Sequence, residues 1–197
     1  MMTAPHELED LLLELLPAQG HWDEEQYLWL TDDTSRLIEF TDGEIEVLPM
    51  PTDEHQTLSQ FLLFTFQAAL QPRGWVIRYS PLRLRVRPRK FREPDLLLLL
   101  DAQDPRRQNR YWLGADLVLE IISLDNPERD LVDKRFDYAE AGIPEYWIVN
   151  PEAQSVAVLR LAGDTYTEHG TFGRGQHATS PLLPGLAVDV TALYDAK

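Results

Sequence analysis

The chain contains no cysteine in 197 residues. That excludes disulfides and cysteine-ligated zinc, and it fits a reducing, cytoplasmic setting. No apolar run approaches the roughly 20 residues a membrane-spanning helix needs, so no membrane association is expected. The N-terminus, Met1-Met2-Thr3-Ala4-Pro5-His6-Glu7, has no basic segment leading into an apolar core, and no signal peptide is expected. Repeats and low-complexity tracts are absent. Positive charge is scarce: 18 Lys and Arg stand against 33 Asp and Glu, a net charge of −15. A general nucleic-acid coat protein would have the opposite balance.

What is present points to one globular domain over residues 1–197, with a core of about 36–160. Hydrophobic residues make up 44% of the chain, enough for a sizeable interior. The few basic residues are clustered. Eight of them lie between Gln71 and Arg92, a segment with no acid, and the other ten face all 33 acids. Leu82, Leu84 and Val86 alternate with Arg83, Arg85 and Arg87, which places three guanidinium groups on one strand face. That face is either solvated or a phosphate-facing strip for nucleic acid.

His6 to Leu16 reads as a short helix closed by Pro17, and Asp23 to Leu30 as another, capped by Asp23. Leu37–Thr41 and Glu44–Leu48 flank Asp42-Gly43, the dipeptide of a two-residue hairpin turn. In that register Glu39 faces Glu46 and Thr41 faces Glu44. Like charges directly opposite are unfavourable, so the two glutamates are expected to face water, the other option being a positive neighbour. Asp53 to Gln71 reads as the main helix. Asp53 and Gln56 have capping-box spacing, and Leu58, Phe61, Leu62, Thr65, Phe66 and Ala69 form its stripe. Trp75–Tyr79 and Leu82–Arg87 read as strands, and Asp101–Gly114 as a long polar loop. Ser123 to Pro127 reads as a turn. A helix from about Glu128 to Ala141 follows, capped by Gly142, with Leu131, Val132, Phe136 and Ala139 as its apolar stripe. Glu145–Val149 is a buried strand. Ser155 to Val190 reads as antiparallel strands.

Two carboxylates stand out. Asp95 precedes the run Leu96–Leu100, and Glu120 lies inside Leu117–Ile122. A lone charge in an apolar strand needs a partner. If the two runs pair antiparallel, Asp95 and Glu120 lie side by side, and a divalent cation is the commonest reason for such a pair. Asp95 could instead cap a turn after Pro94. Lys134 sits four residues after Asp130 and four before Tyr138, on one helix face. It could swing over the sheet end, or it could pair with Asp130.

These segments resemble the PD-(D/E)XK nuclease superfamily, and more closely the Uma-two family of restriction endonucleases. The resemblance rests on Ile38-Glu39-Phe40-Thr41-Asp42-Gly43-Glu44-Ile45, His55-Gln56, Glu93-Pro94-Asp95, Leu119-Glu120-Ile121-Ile122-Ser123, Asp130 with Lys134, and Tyr138 through Trp147. It covers roughly residues 20 to 190. It implies an α/β, restriction-endonuclease-like fold: a mixed central sheet flanked by helices, an N-terminal helical and hairpin extension, and antiparallel C-terminal strands. It also implies a Mg²⁺- or Mn²⁺-dependent endodeoxyribonuclease acting on DNA. Asp95 and Glu120 would hold the metal, joined by the Ile121 carbonyl and His55. Lys134 would be catalytic, and Glu39, Glu44 and Tyr138 supporting. The superfamily's usual lysine two residues after the glutamate is absent, since that position is Ile122. Lys134 is its replacement in this reading. A catalytically silent nucleic-acid or protein-binding member is the alternative, and homodimer formation is left open.

Overall fold

The computed structural model describes residues 16–70, 74–123 and 129–197, without the side chains of Leu70 and Asp130. The helix expected over His6–Leu16 therefore lies outside the described residues except for its last position. The same holds for the Ser123–Pro127 turn beyond Ser123, and for the Asp130–Lys134 side-chain pair.

Helix α1 spans Glu24–Asp32. Asp23 starts it with a reciprocal capping box: its Oδ1 accepts from the Gln26 amide at 2.8 Å, and the Gln26 side chain accepts from the Asp23 amide at 2.9 Å. Strands β1 (Ile38–Thr41) and β2 (Glu44–Val47) form the expected hairpin, with Glu39 opposite Glu46 and Thr41 opposite Glu44. Asp42 and Gly43 both have positive φ, 52° and 106°, as a two-residue turn of this kind requires. Helix α2 spans Asp53–Leu70. Its N-cap is Thr52 and not the expected Asp53, because the Thr52 hydroxyl accepts from the His55 amide at 3.2 Å. Leu58, Leu62 and Phe66 bury its apolar stripe.

Strands β3 (Val76–Tyr79), β6 (Leu96–Leu99), β7 (Leu117–Ile121), β8 (Glu145–Asn150), β9 (Ser155–Ala162) and β10 (Thr165–Gly173) form a six-stranded mixed sheet, ordered β10-β9-β8-β7-β6-β3. β7 and β8 run parallel, and the other pairings are antiparallel. The sheet is covered on both faces, which is why β6 and β7 read as unbroken apolar runs. One face carries Leu96, Leu98, Leu117, Leu119 and Trp147 against α2. That core reaches past residue 160, since Leu183, Val188 and Leu193 join it. The opposite face carries Leu97, Leu99, Val118 and Ile148 against Tyr138, Leu84 and Trp112.

A second sheet, ordered β2-β1-β5-β4, adds β4 (Leu84–Arg87) and β5 (Lys90–Arg92) to the hairpin. Tyr27, Phe40 and Phe91 fasten α1 to it. A two-stranded ribbon of β11 (His177–Thr179) and β12 (Ala187–Asp189) precedes the short helix α4 (Val190–Tyr194).

The helix expected over Glu128–Ala141 begins as a π-helical turn, Arg129–Asp133, and continues as α3, Lys134–Glu140. Gly142, at φ 68°, ends it. Of the predicted apolar stripe only Ala139 faces the core. Leu131 and Val132 are exposed and Phe136 is 69% exposed, whereas Lys134, Asp137, Tyr138 and Ala139 are buried. The helix turns its polar residues inward because buried charges of both sheets wait there to be paired.

Candidate active site

The register of β6 and β7 decides where the two strand carboxylates meet. Leu96 pairs with Leu119, so one further step sets Asp95 opposite Glu120. Both open onto one cavity of about 230 Å³, also lined by Glu93, His55, Arg129 and Lys134. These residues come from the segment between β5 and β6, from the end of β7, from the first turn of α2, and from the π-helical turn and the first residue of α3.

Asp95 is fixed from two sides. Its Oδ2 accepts from the Ile121 amide at 2.7 Å, and its Oδ1 lies 3.3 Å from His55 Nε2. Thr52 caps the helix that carries His55, which fixes the backbone from which the imidazole projects. Glu120 is buried at 3% exposure. Its Oε1 takes the Lys134 ammonium at 2.9 Å and accepts the Tyr138 hydroxyl. Burial first, and then the neighbouring Glu120 charge, hold the Tyr138 phenol well above its usual range, so it stays a donor.

Lys134 also lies 3.5 Å from Glu39, which is 1% exposed. The expectation that Glu39 and Glu46 face water is thus overturned for Glu39, and both find positive neighbours. Arg92 lies 3.5 Å from Glu39, and Arg129 pairs with Glu46 at 3.1 Å. Arg92 and Lys90 further clasp Asp137 of α3, which ties the small sheet to that helix.

Glu93 is the site's least satisfied charge. Its Oε2 is buried with no hydrogen bond. Burial, and then the charge of Glu39, push its carboxyl up to about 7.

The sequence-predicted residues divide clearly. Asp95, Glu120, Ile121, His55 and Lys134 line the cavity. Glu39 and Tyr138 stand behind it, each touching a lining residue. Glu44 is exposed on β2 and does not line it. The Arg83, Arg85 and Arg87 face lies outside the cavity and holds carboxylates: Arg83 pairs with Asp32, Arg85 with Glu24, and Arg87 with Asp42 and Glu140. Glu93, Arg129, Arg92 and Asp137 are the residues that sequence reasoning did not assign. Glu93 carried the one available signal, lying two residues before Asp95 and so at the same sheet end.

The donor set suits a hard divalent cation. Two adjacent carboxylates and a third with an unpaired oxygen share a cavity, and Mg²⁺ needs only one or two carboxylates because it keeps waters. Among the described residues no group of three or more His, Asp or Glu is gathered at metal-binding spacing. The protein ligands alone therefore form no closed cage.

A mixed sheet flanked by helices, with carboxylates at one sheet end, is the restriction-endonuclease-like architecture. A solved structure shares it: a putative nuclease belonging to DUF820 from Anabaena variabilis ATCC 29413, 20% identical, at a TM-score of 0.73 over 90% of this chain and 98% of that one. Within that class the chain belongs to the Uma2 family, described as "Putative restriction endonuclease", whose sequence model matches residues 24–191. No curated protein matches the chain. Among the described residues no helix is long and apolar enough to cross a membrane.

Proposed function

We propose that this chain is a Mg²⁺- or Mn²⁺-dependent endodeoxyribonuclease that hydrolyses phosphodiester bonds. The observation that carries the reading is the convergence of Asp95, Glu120 and Lys134 on one cavity from three separate elements. Asp95 and Glu120 would hold the cation, with the Ile121 carbonyl and His55 as further ligands. When bound, the cation supplies a water acidified toward neutral pH and charge relief on the phosphoryl oxygen.

The chain's own residues do the rest. The Ile121 amide fixes one oxygen of Asp95, and His55 faces the other. The Tyr138 hydroxyl orients Glu120 and, remaining protonated, adds no charge. Lys134 holds a positive charge at the carboxylate pair, where it would stabilise the negative charge that develops on the phosphate. The Arg92, Lys90 and Asp137 network keeps Glu39 and α3 in place, and so supports Lys134.

A second reading has one observation in its favour. Lys134 is already engaged by Glu120 and Glu39, as a purely structural lysine would be. In that reading the fold binds a partner without cutting. A plasmid-nicking assay with Mg²⁺ or Mn²⁺ separates the two. Wild type should nick, and Asp95→Ala should not. Calorimetric titration with Mn²⁺ should give one site in wild type that is lost in Asp95→Ala and in Glu120→Ala. Equal Mn²⁺ binding in all three proteins would remove the metal assignment.

A further inference from the structure

We propose that the groove along the edge strand β3 is a track that guides a single nucleic-acid strand to the carboxylate cavity. The inference rests on the nuclease reading above and adds a route and a strandedness to it.

β3 is the last strand of the six-stranded sheet. The groove beside it has a volume of about 800 Å³ and is lined by Arg78, Tyr79, Gln103, Arg107, Gln108 and Asn109. Its start lies next to the site. Tyr79 and Pro81 both line it, and Ser80 between them donates its amide to the Asp95 carbonyl at 3.2 Å.

The groove holds two guanidiniums that differ from those beside it. Arg78 donates only to the Ile77 carbonyl at 2.8 Å, and Arg107 only to the Ala102 carbonyl at 2.9 Å. Neither makes an ion pair among the described residues. The neighbouring guanidiniums are occupied: Arg83 and Arg110 share Asp32, and Arg106 lies between Asp104 and Asp116. Asp104 also lines the groove, but Arg106 offsets its charge. Two exposed guanidiniums without a carboxylate therefore open onto one groove in a chain of net charge −15. Phosphates are the ligands that match them.

A single strand fits better than a duplex. Tyr79 is 57% exposed and offers a ring face. A base can stack on it only when unstacked from its own neighbours. The amides of Gln103, Gln108 and Asn109 supply donors and acceptors for base edges, which are open in a single strand.

The test is fluorescence anisotropy of a short labelled deoxyoligonucleotide, with the full chain in chelator over a salt series. Arg78→Gln/Arg107→Gln should weaken binding at least about tenfold at low salt. It should also lower the slope of log affinity against log salt by about 1.4, for two lost phosphate contacts. Tyr79→Ala should weaken binding about 5- to 150-fold and leave the slope unchanged. All three side chains are exposed, and matched thermal melts establish folding. Strand binding by wild type, lost in these variants, supports the track even where plasmid nicking fails and the nuclease reading falls. Undiminished binding by the double variant overturns the track while wild-type nicking leaves the nuclease reading intact. Tighter binding of a duplex, or equal competition by an acidic peptide, overturns it as well.

Discussion

Glu93→Gln should make this protein more stable at neutral and alkaline pH, and the size of the gain follows from the site. The Glu93 carboxyl is 6% exposed, one of its oxygens has no hydrogen-bond partner, and Glu39 lies close by. Burial and then the Glu39 charge raise it from an ordinary 4.5 to about 7. The folded protein thus holds this proton more tightly than the unfolded chain does. The stability it contributes is fully present below about pH 4.5. It is lost as pH rises toward about 7, and the loss levels off above that. At about 1.4 kcal/mol per pH unit, the interval is worth about 3 kcal/mol.

Glutamine keeps the shape of the protonated acid and never ionises. Wild type and variant should therefore be close in stability near pH 5. They should diverge through pH 6 and 7, with the variant ahead by up to about 3 kcal/mol at pH 8. Urea denaturation midpoints across that range, in chelator to exclude metal, measure the difference. Two parallel stability profiles would refute the reasoning, because they would mean that Glu93 titrates alike in folded and unfolded chains.

Lys134→Met leaves Glu120 and Glu39 buried without their shared cation, so it should cost about 3–5 kcal/mol, measured by the same denaturation. If the lysine is also catalytic, nicking should fall about 10²- to 10³-fold in protein that is folded at the assay temperature. Restoring stability with Glu120→Gln in the same chain would confirm that the loss is electrostatic. Gly43→Ala should cost about 1–3 kcal/mol, since its Cβ would sit 2.5 Å from the Gly20 carbonyl oxygen at φ 106°. Gly163→Ala, also at positive φ but in open space, should cost less, and thermal melts of the pair would show whether the close approach matters.

The parts of this molecule that were legible in its sequence are those where apolar pattern and backbone agree. Asp42-Gly43 fixed the hairpin register because few residues tolerate two successive positive φ angles. The runs Leu96–Leu99 and Leu117–Ile121 read as buried strands because every residue in them but Glu120 is apolar. Their antiparallel pairing then brought Asp95 beside Glu120. The illegible parts are those where polar residues turn inward. Leu131, Val132 and Phe136 look like a core-facing stripe, yet Lys134 and Asp137 take the buried face. A helix that serves a charged site is inverted relative to the rule that reads it. Glu39 was misread for the same reason. Its solvent-facing look depended on the hairpin alone, and only the third dimension supplies Arg92 and Lys134. Thr52 capping α2 in place of Asp53 is a shift of one residue, within the usual uncertainty of helix ends.

The same inversion explains how so acidic a chain can present a site for a phosphodiester. Five carboxylates, Glu39, Glu93, Asp95, Glu120 and Asp137, are drawn together at one end of the sheet. Three fixed cations, Lys90, Arg92 and Lys134, are set among them. With every carboxylate ionised these eight groups carry two negative charges in excess. Without a cation, the cheapest relief is to keep a proton on the acid with an unpaired oxygen, and Glu93 is that acid. A bound divalent cation supplies the same relief more completely. It would let Glu93 ionise while turning a region that repels phosphate into one that tolerates it. On this argument the raised Glu93 carboxyl and the proposed metal requirement have one cause. Both are ways of offsetting carboxylates that the fold has buried faster than its own lysines and arginines can neutralise them.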